Sequence, residues 1–145
     1  MTDQFDLQRF VDAQAGVYAD VCTELRDGRK RSHWIWFIFP QLRGLGRSQT
    51  ADHYGIASAH EARAYLAHPT LGSRLRECAR LVTQVEGRSA EQIFGWPDFL
   101  KVRSSMTLFA AVADPADRAD FQAVLDKFYD GLGDPRTVEM LSAAG

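Results

Sequence analysis

Three stretches of the chain carry polar side chains that a plain apolar core does not require. The first is HWIWFIFPQLRGLGRSQT, residues 33–50, where an aromatic run leads straight into a Gly- and Arg-bearing loop. Gly44 and Gly46 permit positive φ, and such loops can turn several backbone N–H groups toward an anion. Arg43 and Arg47 would add charge there, with Gln41 and Ser48 as hydrogen-bonding partners. The motif is not a nucleotide fingerprint, because its G-x-G lacks a third Gly and a preceding strand and the chain has no G-K-[ST]. The same residues also read simply as a tight connection between helices.

The second stretch is DFLKVRSSMTLF, residues 98–109. On a helix, Asp98, Lys101 and Ser105 fall near one face, with Ser104 beside them. Ser104, Ser105 and Thr107 interrupt an otherwise apolar helix, although Ser and Thr compete with the backbone for hydrogen bonds and form helices poorly. Either close helix packing selects these small residues, or they form the polar wall of a pocket with Lys101 as its cation.

The third is the pair His33 and His68. A His near neutral pH can act as acid or base, or it can simply cap a helix end. If catalysis occurs, His33 and Asp98 are the acid/base candidates. His53 and His60 read as surface residues. Trp34, Trp36, Phe37, Phe39 and Trp96 are most simply core. Yet an indole N–H wants a partner, and an exposed Trp face beside Arg43 or Lys101 would stack on a planar ring such as a nucleobase. There is no H-E-x-x-H, no C-x-x-C and no G-x-S-x-G. Neither a metal site nor a cofactor is expected, and Cys22 and Cys78 read as reduced core thiols.

These residues must be positioned by helices. The 145-residue chain is long enough for one domain and short for two. Its 46% hydrophobic and 25% charged residues describe an ordinary globular balance. A net charge of -2 offers no basic excess, so nucleic acid is not an expected partner. The polar N-terminus has no signal-peptide form, and no apolar run approaches the roughly 20 residues that span a bilayer. A cytoplasmic protein follows, as a monomer or weak homodimer.

Apolar residues from Leu7 to Leu25 recur at spacings of three and four, predicting one helix begun by Asp3 or Asp6 and ended by Gly28. A basic cluster, Arg29 to Arg31, then suits the negative end of the helix dipole. SHWIWFIF has strand propensity. With no partner strand in sight, a short buried helix capped by Ser32 and stopped before Pro40 is the better expectation. Ser58 with Glu61, and Ser89 with Gln92, have capping-box form. Pro69, Pro115 and Pro135 each suit a first helical turn. About seven to eight helices with short connections give a single all-α domain over residues 1–145.

The blocks DLQRFVDAQAGVY, HWIWFIFPQLRGLG, EARAYLAHPTLGSRL, IFGWPDFLKVRSSMTLF and LDKFYDGLGDPRT resemble a small bacterial all-α family of unknown function, sometimes labelled "calpastatin". The resemblance covers almost the whole chain and implies a mostly helical fold. It implies no activity. The label fails on physical grounds, since calpastatins resemble disordered inhibitors and disorder needs low hydrophobicity.

Two functional readings follow. In the first, segment 33–48 and helix 98–109 form a pocket for a small anionic, phosphate- or nucleotide-like ligand, with hydrolysis or transfer as a possible reaction. Its binding residues are Trp34, Trp36, Gln41, Arg43, Gly44, Gly46, Arg47, Ser48, Trp96, Lys101, Ser104 and Ser105. In the second, the protein is a non-catalytic interaction module that docks a partner on an exposed aromatic patch.

Overall fold

Capping residues and apolar periodicity set the elements one by one. The computed structural model describes residues 3–144. Among them run α1 (Gln8–Gln14), α2 (Tyr18–Arg26), α3 (Ile35–Ile38), α4 (Gln49–Tyr54) and α5 (Ala59–Ala67). Then follow α6 (Pro69–Thr83), α7 (Ala90–Phe94), α8 (Asp98–Val112), α9 (Pro115–Phe128) and α10 (Pro135–Ala144). The fold is all-α, with ten helices among the described residues rather than seven or eight.

Two local events account for the difference. The predicted first helix is cut in two at Gly16, whose φ of 79° breaks the helical path between α1 and α2. The second event is α4, which forms inside the Gly loop because Ser48 caps it, its Oγ accepting from Ala51 N at 3.0 Å.

The WIWFIF run forms the four-residue α3, not a strand. Its cap differs from expectation, since Trp34 holds the N-cap position and makes no side-chain cap bond. Ser32 is drawn instead to Glu24, a buried carboxylate on α2. Glu24 Oε1 accepts from Arg31 N at 2.6 Å, Ser32 N at 3.0 Å and Trp34 Nε1 at 2.9 Å, while Oε2 accepts from Ser32 Oγ at 2.7 Å. Burial pushes the Glu24 pKa up, but these donors outweigh it and bring it down to about 2.

After α3 the chain makes one isolated parallel bridge, Leu42 with Ile56. Arg43 N donates to Ile56 O at 2.8 Å, and Ile56 N donates to Gln41 O at 2.9 Å. The loop carrying α4 therefore leaves and returns through one hydrogen-bonded neck.

α8 lies at the centre, in contact with α3, α5, α7, α9 and α10, and buries nearly every residue from Val102 to Ala110. Tyr65, Phe109 and Phe121 stack through the core with ring centroids 5.4 and 6.0 Å apart. A charged clamp ties α1 to the middle of the chain. The Arg9 guanidinium donates to the carbonyls of Phe5, Asp6, His53 and Gly55 and pairs with Glu61 at 2.6 Å. Glu61 departs from its expected box, since its Oε1 accepts from Ala57 N, not Ser58 N. Ser89 and Gln92 do complete theirs.

Candidate functional site

Two predicted stretches come together. A cavity of 240 Å³ opens between the 41–46 loop and α8, closed on the far side by the start of α10. Gln41, Leu45, Gly46, Pro97, Leu100, Lys101, Ser104, Asp134 and Arg136 line it.

Each wall has a local cause. Gln41 sits at the neck of the loop, its carbonyl fixed by Ile56 N. The residue is only 8% exposed, and its side-chain amide makes no hydrogen bond among the described residues. Gly46 lets the loop pack against α4, since a Cβ there would stand 2.6 Å from the Ala51 Cβ. Lys101 reaches across from α8, its Nζ 4.1 Å from the centroid of the Trp36 ring and 3.1 Å from Asp98 Oδ1.

The hydroxyls of α8 have a structural reason as well. Ser104 Oγ donates to Asp134 Oδ2 at 3.2 Å, and Thr107 Oγ1 accepts from Asp134 N at 2.8 Å. Arg103 donates to the carbonyls of Leu132 and Gly133. Together they dock the start of α10 on α8. Asp134 Oδ2 also takes Thr137 N at 3.1 Å and Thr137 Oγ1 at 2.6 Å, so it caps α10. Arg136 follows in the first turn, exposed and without an ion pair among the described residues. A cation there faces the positive end of the helix dipole, an arrangement that an anion would relieve.

The other predicted residues lie outside the cavity lining. Trp34 is in the core, bonded to Glu24. Trp36 lies under Lys101, behind the wall. Arg43 is spent on the carbonyls of Asp52 and Gly55, and Ser48 on capping α4. Gly44 turns the chain at φ 102°, and Arg47 points to solvent. Ser105 is fully buried, and its Oγ has no partner. His33 is exposed and does not border the cavity. His68 caps α6, its Nδ1 accepting from Thr70 N and Leu71 N at 3.2 Å each.

Asp98 bridges Lys101 and Lys30, the latter at 2.9 Å. Burial raises its pKa, but the two ammonium groups outweigh that and hold it below the ordinary carboxylate range. It therefore stays a carboxylate at neutral pH. Trp96, most simply expected in the core, is instead 71% exposed, and the next residue in the chain, Pro97, lines the cavity.

Sequence reasoning missed Asp134 and Arg136 as site residues. Asp134-Pro135 reads as a helix cap, which it is, and nothing local says that the cap faces Ser104. The signal available was Arg136 itself, a cation in a first turn where the dipole disfavours it. Larger hollows lie elsewhere, one of 340 Å³ between α5 and α8, but the Arg76–Asp117 ion pair already occupies its polar edge. Among the described residues, no three His, Cys, Asp or Glu side chains gather as metal ligands, and both cysteines are free and buried. No helix among them is long and apolar enough to cross a membrane.

A sequence model of one family, described as "Protein of unknown function (DUF1810)", matches residues 4–141. A solved structure, the conserved hypothetical protein Rv1873 from Mycobacterium tuberculosis, is 60% identical to the chain. The alignment covers 97% of this chain and 99% of that one, with a TM-score of 0.94. No curated protein matches the chain.

Proposed function

Since the chain belongs to the DUF1810 family, whose function is unknown, we propose from its own geometry that it binds a small phosphate-bearing ligand in the cavity between the 41–46 loop and α8. One observation carries the reading. Gln41 is nine-tenths buried with an unpartnered side-chain amide, and it opens into a cavity flanked by Lys101 and Arg136. Its amide atoms keep some contact with solvent, so a ligand would replace water there rather than fill a sealed void. A ligand oxygen supplies the missing partner, and the two cations supply charge for an anion.

The volume limits the guest. Drug-sized sites run from roughly 300 to 1,000 Å³, so 240 Å³ suits a phosphorylated fragment the size of a pentose rather than a large cofactor. Binding is the function supported. The acid/base candidates do not strengthen a catalytic reading, because His33 does not border the cavity and Asp98 is held ionised between two lysines.

The test is titration calorimetry with inorganic phosphate and ribose 5-phosphate on wild type and Arg136→Ala. Saturable binding that weakens about tenfold in the variant supports the site, matching the usual worth of one charge-assisted hydrogen bond. Absence of heat with both ligands sinks it. A second reading, a docking face for a partner protein, draws on the exposure of Trp96 and Leu100. It expects Trp96→Ala to abolish capture of that partner while phosphate titrations stay flat.

A further inference from the structure

Resting on the cavity as a phosphate site, we infer that its ligand is a nucleoside phosphate, with the ribose hydroxyls on Asp134 and the base stacked outside the cavity on Trp96. Two features are left unexplained by a bare anion. The first is Asp134. Its Oδ2 is filled by Ser104 and Thr137, but its Oδ1 has no partner among the described residues. A carboxylate oxygen at an anion site repels phosphate and calls for a neutral donor. A sugar hydroxyl is that donor, and Arg136, two residues on, is placed for the phosphate joined to the same sugar.

The second feature is Trp96. A Trp at 71% exposure loses the burial that normally stabilises an indole. The ring meets Phe99 in a tilted contact at a centroid distance of 5.8 Å, and its exposure leaves most of its area free for a base. Between Trp96 and the polar end lies Leu100, itself 39% exposed and lining the cavity. Leu100 and Ser104 are one helical turn apart, roughly 6 Å along the axis. Along this edge of α8 the surface therefore passes from aromatic to aliphatic to polar over about the length of a nucleoside. The cavity is too small for a whole nucleotide, so the base must lie outside it, where Trp96 stands.

The experiment compares ribose 5-phosphate, adenosine 5′-monophosphate and its 2′,3′-dideoxy analogue, each by calorimetry on wild type and Trp96→Ala. Stacking of a base on an aromatic side chain gives about a tenfold gain, so the monophosphate binds about tenfold tighter than ribose 5-phosphate. Trp96→Ala removes that gain and leaves ribose 5-phosphate unchanged. The dideoxy analogue binds about tenfold more weakly than the parent, for loss of the hydrogen bonds to a charged acceptor. Equal affinity for monophosphate and ribose 5-phosphate, in both proteins, overturns the inference and leaves the phosphate site standing. Failure of all three to bind overturns both. Trp96 is exposed, and an unchanged Tm in the variant excludes misfolding as the cause.

Discussion

The ammonium of Lys101 lies 4.1 Å from the centre of the Trp36 ring, so the cation that lines the cavity is seated on the aromatic run that begins the opposite wall. The contact joins the two unusual segments of the sequence through one side chain. The ring face and Asp98 hold the charge where a ligand can reach it, at little cost in side-chain freedom.

Lys101→Met keeps the stem over Trp36 and deletes the charge. Asp98 keeps Lys30 as partner, so no carboxylate is orphaned. The affinity for ribose 5-phosphate should drop about tenfold, while stability in urea changes by about 1 kcal/mol or less. A loss of several kcal/mol would make Lys101 a structural residue.

Ser105 is fully buried in α8, and its hydroxyl has no partner. Ser105→Ala removes an unsatisfied polar group and installs a better helix former. Urea denaturation should show the variant more stable by about 1 kcal/mol. A less stable variant would mean that the hydroxyl has a partner in solution.

Glu24 titrates far below its ordinary value of 4.5, at about 2. A depressed carboxyl stabilises the fold above its unfolded pKa and loses that contribution as pH falls through its folded one. Acid should therefore erode stability between about pH 4.5 and 2, by up to about 3 kcal/mol from this group. Glu24→Gln should be less stable at neutral pH and show a shallower slope over that window. An unchanged slope would place the acid sensitivity elsewhere.

The Arg9–Glu61 pair is nearly sealed, with side chains 7% and 3% exposed. Glu61→Ala strands a buried guanidinium and frees Ala57 N, which should cost about 3–5 kcal/mol. A midpoint within error of wild type would mean that Arg9 swings out to water.

Much of this was legible in the residue order. The start signals at Ser58, Ser89, Pro69 and Pro135 each mark a real helix start, because a cap is a local event among residues three or four apart. The cavity was half legible. Gln41, Gly46, Lys101 and Ser104 stand out as polar or small residues in apolar surroundings. Arg43 and Ser48 stand out for the same reason and serve the backbone of their own loop. Asp134 was hidden because its second role depends on Ser104, thirty residues away. Of the two readings of Trp96, the core one fails, because composition favours burying an indole and only tertiary placement decides whether there is room.

The hydrogen-bonded neck between Leu42 and Ile56 also bears on engineering. Gln41 is anchored by Ile56 across the neck, not by the turns and α4 that lie between. Peptide insertions at the exposed Arg47, beyond Gly46 and ahead of the Ser48 cap, would lengthen a closed excursion, for which each doubling of length costs only about 0.6 kcal/mol. The same excursion could therefore carry a tag or reporter graft within a few residues of the cavity, with the amide of Gln41 still held in register.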